Sequence, residues 1–517
     1  MKFRTFFHPL FFSVYPIVYL YSANLGEVQA ADALVPALLS LISAAVLLFV
    51  SRALTADDGK AALMVTGACF AFYAYGAFDS LMISLSDSQN LRGFWFPLLW
   101  FLTFLAGEFA IWRHRESTMQ VSGFLNTMAL ILLLIVSGNI AIFHLTADAR
   151  LKKSHGVAGE TVLTINASST QLPDIYYLIL DGYARQDILK TTYEADNSEF
   201  TAFLQSAGFY VASQSWANYP QTYLSLASSL NYTYLDTMAA KFYDQNSVEP
   251  LVEMVRNNNL FAVLKKAGYL TVGLSSGYSG TELRNADIYL SRTLLGREFF
   301  DSLISSTFLA ALKLPFFDMS VSQADVHRGR IRETLEALPE LKLPAGPVVV
   351  FAHLTCPHPP FVFGPAGENI NPGEKFHIFD GSHWGNDVSG YRRQYRDQLI
   401  YVTRLVKEML SKLLAAKSRQ RIIIIQSDHG PGSVLDWQNH EKTDLRERFG
   451  ILNAVHLGGR SNDGLYPGIS PINTIRFVLN QLLREKLPLL PDKSFFAPWF
   501  GRYRFIDITD KLAASKH

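Results

Sequence analysis

The sequence predicts an α/β protein in two parts: a five-helix transmembrane region, then an α/β/α domain with a mostly parallel sheet. Three observations predict it. Five long apolar stretches fill residues 1–145. Beyond residue 173, short runs rich in β-branched residues alternate with helical patterns, the mark of parallel strands covered on both faces. Three of those runs end in acidic or imidazole side chains.

Length and composition set the bounds. At 517 residues the chain is too long for one ordinary domain. Lys and Arg total 46 against 45 Asp and Glu, so no bulk charge points to nucleic acid. The two cysteines, Cys69 and Cys356, stand far apart and give no disulfide framework. Cys356 reads as a structural thiol.

The apolar stretches are Phe6–Tyr21, Leu34–Ser51, Ala61–Phe78, Gly93–Ile111 and Val121–Leu145. Each approaches the length needed to cross a hydrocarbon core of roughly 30 Å. No small-residue cleavage pattern follows the first, so it reads as an uncleaved span. Lys2 and Arg4, then Arg52 and Lys60, then Arg113 and Arg115 fall on one side; the first loop has no Lys or Arg and the third only Arg92. The positive-inside rule then makes the amino terminus cytoplasmic. Five crossings put the rest of the chain outside the plasma (inner) membrane, with Arg150, Lys152 and Lys153 resting on lipid head groups. Asp79 and Glu108 read as interfacial. Residues 150–172, polar and small, form a linker. The expected domains are 1–149, 150–172 and 173–517.

In the soluble part, Asp174–Leu180 is a buried-strand pattern that ends in Asp181 and Gly182. Asp181 is either a helix cap or a site residue. Asn197–Ala207 is a helix. From Thr222, after Pro220, the chain is helix-compatible again. The Thr222 hydroxyl either caps this helix or is a nucleophile whose alkoxide the helix end and a metal stabilise. Pro250–Ala267 reads as one amphipathic helix, Tyr269–Leu274 as a strand and Ser322–Leu338 as a helix. Pro347–Leu354 is a strand carrying His353, with His358 just beyond; these are core and loop histidines, or metal or phosphate contacts. Gly364–Gly390 is a long irregular stretch of the kind that is often functional. Tyr391–Leu414 is a helix, with Arg392, Arg393 and Arg396 on a solvated face. Then Ile422–Gly430 reads Ile-Ile-Ile-Ile-Gln-Ser-Asp-His-Gly. Four β-branched residues suit a strand buried on both faces. Asp428 and His429 at its end make either a polar turn or half of a divalent-metal site. His440, the charged run Asp444–Phe449, a strand at Ile451–Leu457 and a helix at Ser470–Arg484 complete the order. Carboxyl ends of parallel strands share one sheet edge, so the groups ending these strands are expected to converge.

Asp181-Gly182, helix-start Thr222, His353-x4-His358, Ser427-Asp428-His429-Gly430 and His440, in that order, resemble the alkaline phosphatase/sulfatase superfamily. Within it the chain looks like membrane-anchored phosphoethanolamine and phosphoglycerol transferases and lipoteichoic acid synthases. The resemblance implies that Asp181, Thr222, Asp428 and His429 hold a divalent metal, zinc or manganese, with Thr222 the nucleophile. It places His353, His358 and His440 at second-metal or phosphate positions, with His353 and His358 also in the catalytic set. It implies a membrane lipid as donor and an envelope glycan or lipid as acceptor. Asp181 stands where those transferases usually carry Glu, and the soluble part has one cysteine where many of them are disulfide-rich. Tyr219–Ser225 offers no Cys/Ser-x-Pro-x-Arg pattern, which the formylglycine sulfatases require. The rival expectations are a hydrolase of the same superfamily, either a phosphodiesterase or a sulfuric ester hydrolase, and a non-catalytic membrane protein that binds a glycan.

Overall fold

The computed structural model describes residues 6–23, 25, 30–85, 95–114, 118–145, 172–290, 299–300, 303–312, 323–343, 346–372, 379–385, 387–416, 419–484 and 486–514. The expected linker lies, but for Leu172, outside these residues. The chain forms two compact units: Met1–Ala149 with Leu294–Val321, and Arg150–Thr293 with Ser322–His517.

The first unit is helical. Its elements are α1 (His8–Ala23), α2 (Ala30–Thr55), α3 (Asp58–Tyr73), α4 (Tyr75–Leu85), α5 (Trp95–Arg113) and α6 (Met119–Leu145). The third apolar stretch is not one straight helix. It breaks at Ala74, whose N–H still closes on the Phe70 carbonyl, and resumes as α4. Among the described residues, three helices are long and apolar enough to cross a membrane: Asp32–Thr55, Trp95–Arg113 and Met119–Phe143. Helices α1 and α3, at 16 residues each, fall short of the ~20 that a straight span needs.

The second unit is built on a seven-stranded sheet in the order β2-β7-β6-β1-β5-β3-β4. The strands are β1 (Asp174–Leu180), β2 (Phe209–Val211), β3 (Leu270–Leu274), β4 (Ile288–Leu290), β5 (Val348–Leu354), β6 (Arg421–Gln426) and β7 (Asn453–His456). β6, β1, β5, β3 and β4 run parallel; β7 pairs antiparallel with β6, and β2 with β7. The two-residue period of a strand sends alternate side chains to opposite faces. Tyr176, Leu178, Val350, Ala352, Ile423 and Ile425 enter one core; Ile175, Tyr177, Ile179, Val349, Phe351, Ile422 and Ile424 enter the other. Helices on both faces bury these runs completely, as their continuous apolarity requires.

One histidine of this packing gives a test. In the Gln323–Ala337 helix, burial depresses His327 from the usual 6.5 to about 3. Folded His327 is neutral while the unfolded chain takes up a proton, so stability falls as pH drops from about 6.5 towards about 3. The expected loss approaches about 1.4 kcal/mol per pH unit inside that window. Urea unfolding at about pH 7 and about pH 5 should show it, and His327→Gln should flatten the slope. Equal slopes in the two proteins would sink this account.

A candidate metal and phosphate site at the carboxyl edge of the sheet

The three central parallel strands deliver the site. In register, Ile179 of β1 pairs with His353 of β5 and with Gln426 of β6. The residues just beyond, Asp181, Thr355 and Ser427, therefore leave the sheet at one edge, as open α/β sheets place ligand groups. Gly182 follows Asp181 with φ +70, a left-handed conformation that suits glycine. It lets the chain turn beneath His358, whose Cβ would lie 3.4 Å from an added methyl. At the end of β6, the Ser427 hydroxyl accepts from Tyr183 N at 2.8 Å and donates to the His429 carbonyl at 2.6 Å. That locks the Asp428-His429 corner.

Thr222 opens the helix Thr222–Ser229, but it is not the cap. Gln221 holds the extended N-cap position without a side-chain cap bond. The Thr222 hydroxyl lies 3.2 Å from His429 Nε2. One turn on, Ser225 Oγ donates to the Asp428 carbonyl at 2.7 Å, which ties this helix to the end of β6.

Each histidine of the cluster is oriented by a bond at Nδ1. His429 Nδ1–H donates to Gly430 O at 2.9 Å, and His358 Nδ1–H to Pro359 O at 2.7 Å. His353 Nδ1 meets the Thr281 hydroxyl at 2.8 Å. Their Nε2 atoms face the carboxylates. His353 Nε2 is 3.2 Å from Asp181 Oδ2. His429 Nε2 is 3.5 Å from Asp181 Oδ1 and 3.3 Å from Asp428 Oδ2. All of these side chains are buried.

Two carboxylate oxygens are left over. Asp181 Oδ1 and Asp428 Oδ2 are buried without a hydrogen-bond partner, an arrangement that costs free energy unless a cation or proton satisfies it. Asp181 belongs to two groups of ligand atoms that lie within 4.8 Å of one another: Asp181, His358 and His429, and Asp181, His353 and Asp428. Orphaned carboxylate oxygens, inward imidazole nitrogens and a hydroxyl fit a divalent metal. The Nδ1 bonds are the outer-shell bonds that orient metal-ligating histidines.

The electrostatics agree. Burial alone would raise the Asp181 carboxyl; His358, His353 and His429 outweigh it and hold it well below the usual carboxylate range. Burial opposes charge on His358, but Asp181 and Asp380 overcome it and raise its pKa. Burial and then Arg448 depress His429, against the pull of Asp428 and Asp181.

Asp380 and Arg448 are the site residues that sequence reasoning missed. Asp380 lies in the Gly364–Gly390 stretch and Arg448 in the charged run. Arg448 Nη1 contacts Asp380 Oδ2 at 2.5 Å with both side chains 1% exposed. Its other nitrogens hold the Pro220 carbonyl at 2.9 and 2.6 Å, just before Thr222. Tyr391 OH donates to Asp380 Oδ1 at 2.6 Å, and His358 Nε2 is 3.6 Å from Oδ2. Burial would raise the Asp380 carboxyl, but Arg448 and His358 bring it below its usual value. A cavity of about 80 Å³ is lined by Asp181, Thr222, His358, Asp380, His429 and Arg448, with Phe379, His383, Trp437 and Trp499 among its aromatic residues. His353 and Asp428 sit behind it. His440 does not join the cluster: its Nε2 lies 3.0 Å from Lys511 Nζ and 3.0 Å from Glu441 Oε1.

The chain belongs to the sulfatase family, whose profile matches residues 173–451. It is a sulfatase-like enzyme. No curated protein matches the chain. Among solved structures it is similar to the C-terminal periplasmic domain of EcEptC from Escherichia coli in complex with Zn, at 14% identity and a TM-score of 0.42, covering 67% of this chain and 95% of that one. It is also similar to the integral membrane lipooligosaccharide phosphoethanolamine transferase A (EptA) from Neisseria meningitidis, at 12% identity and a TM-score of 0.37, covering 91% and 94%. A third is the putative sulfatase yidJ from Bacteroides fragilis, at 14% identity and a TM-score of 0.35, covering 63% and 82%.

Proposed function

We propose that the chain is a membrane-anchored, metal-dependent phosphotransferase. It moves a phospho-alcohol head group, phosphoethanolamine or phosphoglycerol, from a phospholipid to an envelope glycan or lipid through a phospho-threonine intermediate. One observation carries the reading: the Thr222 hydroxyl stands at a helix start, 3.2 Å from His429 Nε2, beside two unsatisfied buried carboxylate oxygens. A threonine cannot become the formylglycine of the hydrolytic sulfatases, whereas it can carry a phosphodiester. In this reading residues 1–149 anchor the protein by five crossings of the plasma membrane, 150–172 link, and 173–517 work outside the cytoplasm.

Asp181, Asp428, His429 and Thr222 would hold the metal, zinc or manganese, which when bound lowers the pKa of a hydroxyl and neutralises phosphate charge. The chain supplies the rest. Thr222 Oγ1, its proton given up to water, attacks phosphorus, and the bond from phosphorus to the diacylglycerol oxygen breaks. His358, whose raised pKa favours a held proton, protonates that leaving oxygen. The N–H groups that the first turn of this helix leaves without an intrahelical partner face the phosphoryl oxygens. An acceptor hydroxyl then gives its proton to His358 and attacks phosphorus, and the bond from phosphorus to Thr222 Oγ1 breaks. His353 and Arg448 position Asp181 and Asp380, and the solvent-side His440 has no step here.

Intact mass of the full-length protein, incubated with phospholipid and metal, tests this. The expected adduct is one phospho-alcohol group on Thr222, absent from Thr222→Ala, its mass separating ethanolamine from glycerol. Lipid turnover without an adduct, and with water as the only acceptor, would replace transfer by hydrolysis.

A further inference from the structure

The first unit holds a second cavity, far larger than the first. It measures about 490 Å³ and is walled by α2, α3, α5 and the segment around Leu303–Leu309, within the roughly 300–1,000 Å³ of ligand cavities. Leu39, Ala44, Ala68, Phe101, Leu303 and Phe308 are among its walls. Three of its hydroxyls are turned to the protein: Ser40 donates to the Ser13 carbonyl at 2.7 Å and meets Tyr73 OH at 2.7 Å, and Thr307 donates to the Ile304 carbonyl at 2.8 Å. A space so lined gives water few partners and suits hydrocarbon.

Its place within the unit follows from helix register. Phe7 N bonds Asn126 and Asn139 bonds Ser22, so α1 and α6 run parallel. Ser40 against Ser13 sets α2 antiparallel to α1, so α2 starts towards the end of α1; Tyr73 on Ser40 and Trp100 Nε1 on the Ala71 carbonyl bring the end of α3 and the start of α5 to the level of that Ser40 bond. The wall on α2 runs from Pro36 to Leu47, roughly 16 Å at ~1.5 Å per residue. That is about half of a ~30 Å hydrocarbon core, one leaflet. Leu39, Leu47 and Phe101 line the cavity and are also 58%, 45% and 43% exposed, so its mouth opens sideways on the apolar flank of α2 and α5. The roof is chain that returns to this unit after β4: Ser306 O accepts from Gly76 N at 3.0 Å, and Phe308 meets Tyr75 edge-on and stacks on Phe101.

We propose that this cavity binds one acyl chain of a membrane phospholipid, held under the returning segment. The proposal rests on the membrane-anchored reading above and deepens it by giving the lipid a seat. The lateral mouth, the one-leaflet depth and the apolar walls choose the occupant: in a bilayer, phospholipid chains are what lies against that mouth.

The test uses the full-length protein in nanodiscs containing a phospholipid with a diazirine in one acyl chain. After irradiation, labelled peptides should concentrate on residues 36–47 and 300–309, above the outward-facing Leu134 and Ile135 of α6. Ala68→Phe, which fills the cavity, should cut cavity labelling roughly tenfold, equivalent to about 1.4 kcal/mol, and leave α6 labelling unchanged. Uniform labelling of every apolar face in the wild type overturns the proposal, even if Ala68→Phe fails to insert. Thr222→Ala should label like wild type. Cavity labelling without any transfer activity would keep this site and remove the transferase reading; transfer with uniform labelling would do the reverse.

Discussion

Thr222→Ala is expected to abolish head-group transfer, lowering kcat by on the order of 10³-fold or more, as loss of a nucleophile does. Folding should survive. Thr222 makes no cap bond, and Ser225 rather than Thr222 fastens the helix to β6. Ser225 cannot take over, because its hydroxyl is already given to the Asp428 carbonyl at 2.7 Å. Thr222→Ser keeps the oxygen and loses the methyl that stiffens χ1. It should retain activity within about 10- to 100-fold of wild type, the loss reflecting orientation. The measurement is single-turnover release of diacylglycerol, with thermal unfolding alongside. A folded Thr222→Ala with wild-type turnover would end the covalent mechanism and favour a binding role.

The central sheet was legible because its strands are buried on both faces. Continuous runs such as Ile422–Ile425 have no helical period, and β1 was found to the residue. The edge strands Phe209–Val211 and Ile288–Leu290 were not, since three residues carry no period. Pro250–Ala267 looked like one helix and is two. Asn257 ends the first as its C-cap, and Asn258 caps the second, its side chain accepting from Phe261 N at 2.8 Å. The third apolar stretch hid its break at Ala74 because apolar composition does not report backbone direction. Residues 299–312 gave no signal strong enough to place them with the membrane helices, because a short roof needs no full span. In the site, Asp181, Thr222, His353, His358, Asp428 and His429 came together because strand ends share an edge. Asp380 and Arg448 stayed hidden because their partnership spans 68 positions and exists only in the fold. His440 matched a motif order, but its loop carries it to Lys511.

Asp428→Asn separates a metal ligand from a structural carboxylate, because the two roles predict opposite signs of stability. Asp428 Oδ1 accepts from Gly182 N at 3.3 Å, while Oδ2 faces His429 Nε2 at 3.3 Å without a hydrogen bond. Asparagine keeps the first acceptor and can offer an N–H to the imidazole nitrogen. It also puts a neutral group in place of one of the site's two buried carboxylates that have unsatisfied oxygens, and burying a neutral group without a counter-ion costs less. The metal-free variant should therefore unfold no earlier than metal-free wild type. Adding metal reverses the order. Wild type should gain about 2.7 kcal/mol when free metal stands at about 100 times its Kd. The variant should gain far less, because loss of a direct ligand should exceed the 10- to 100-fold affinity cost of losing an outer-shell partner. Bound metal, measured by elemental analysis after dialysis, should fall with it, and head-group transfer should fall by on the order of 10³-fold. A variant that keeps its metal while destabilised would make Asp428 a structural group. A variant that loses metal without losing stability in the metal-free state would identify it as a ligand. The buried charge at the end of β6 would then be a cost the fold carries for chemistry.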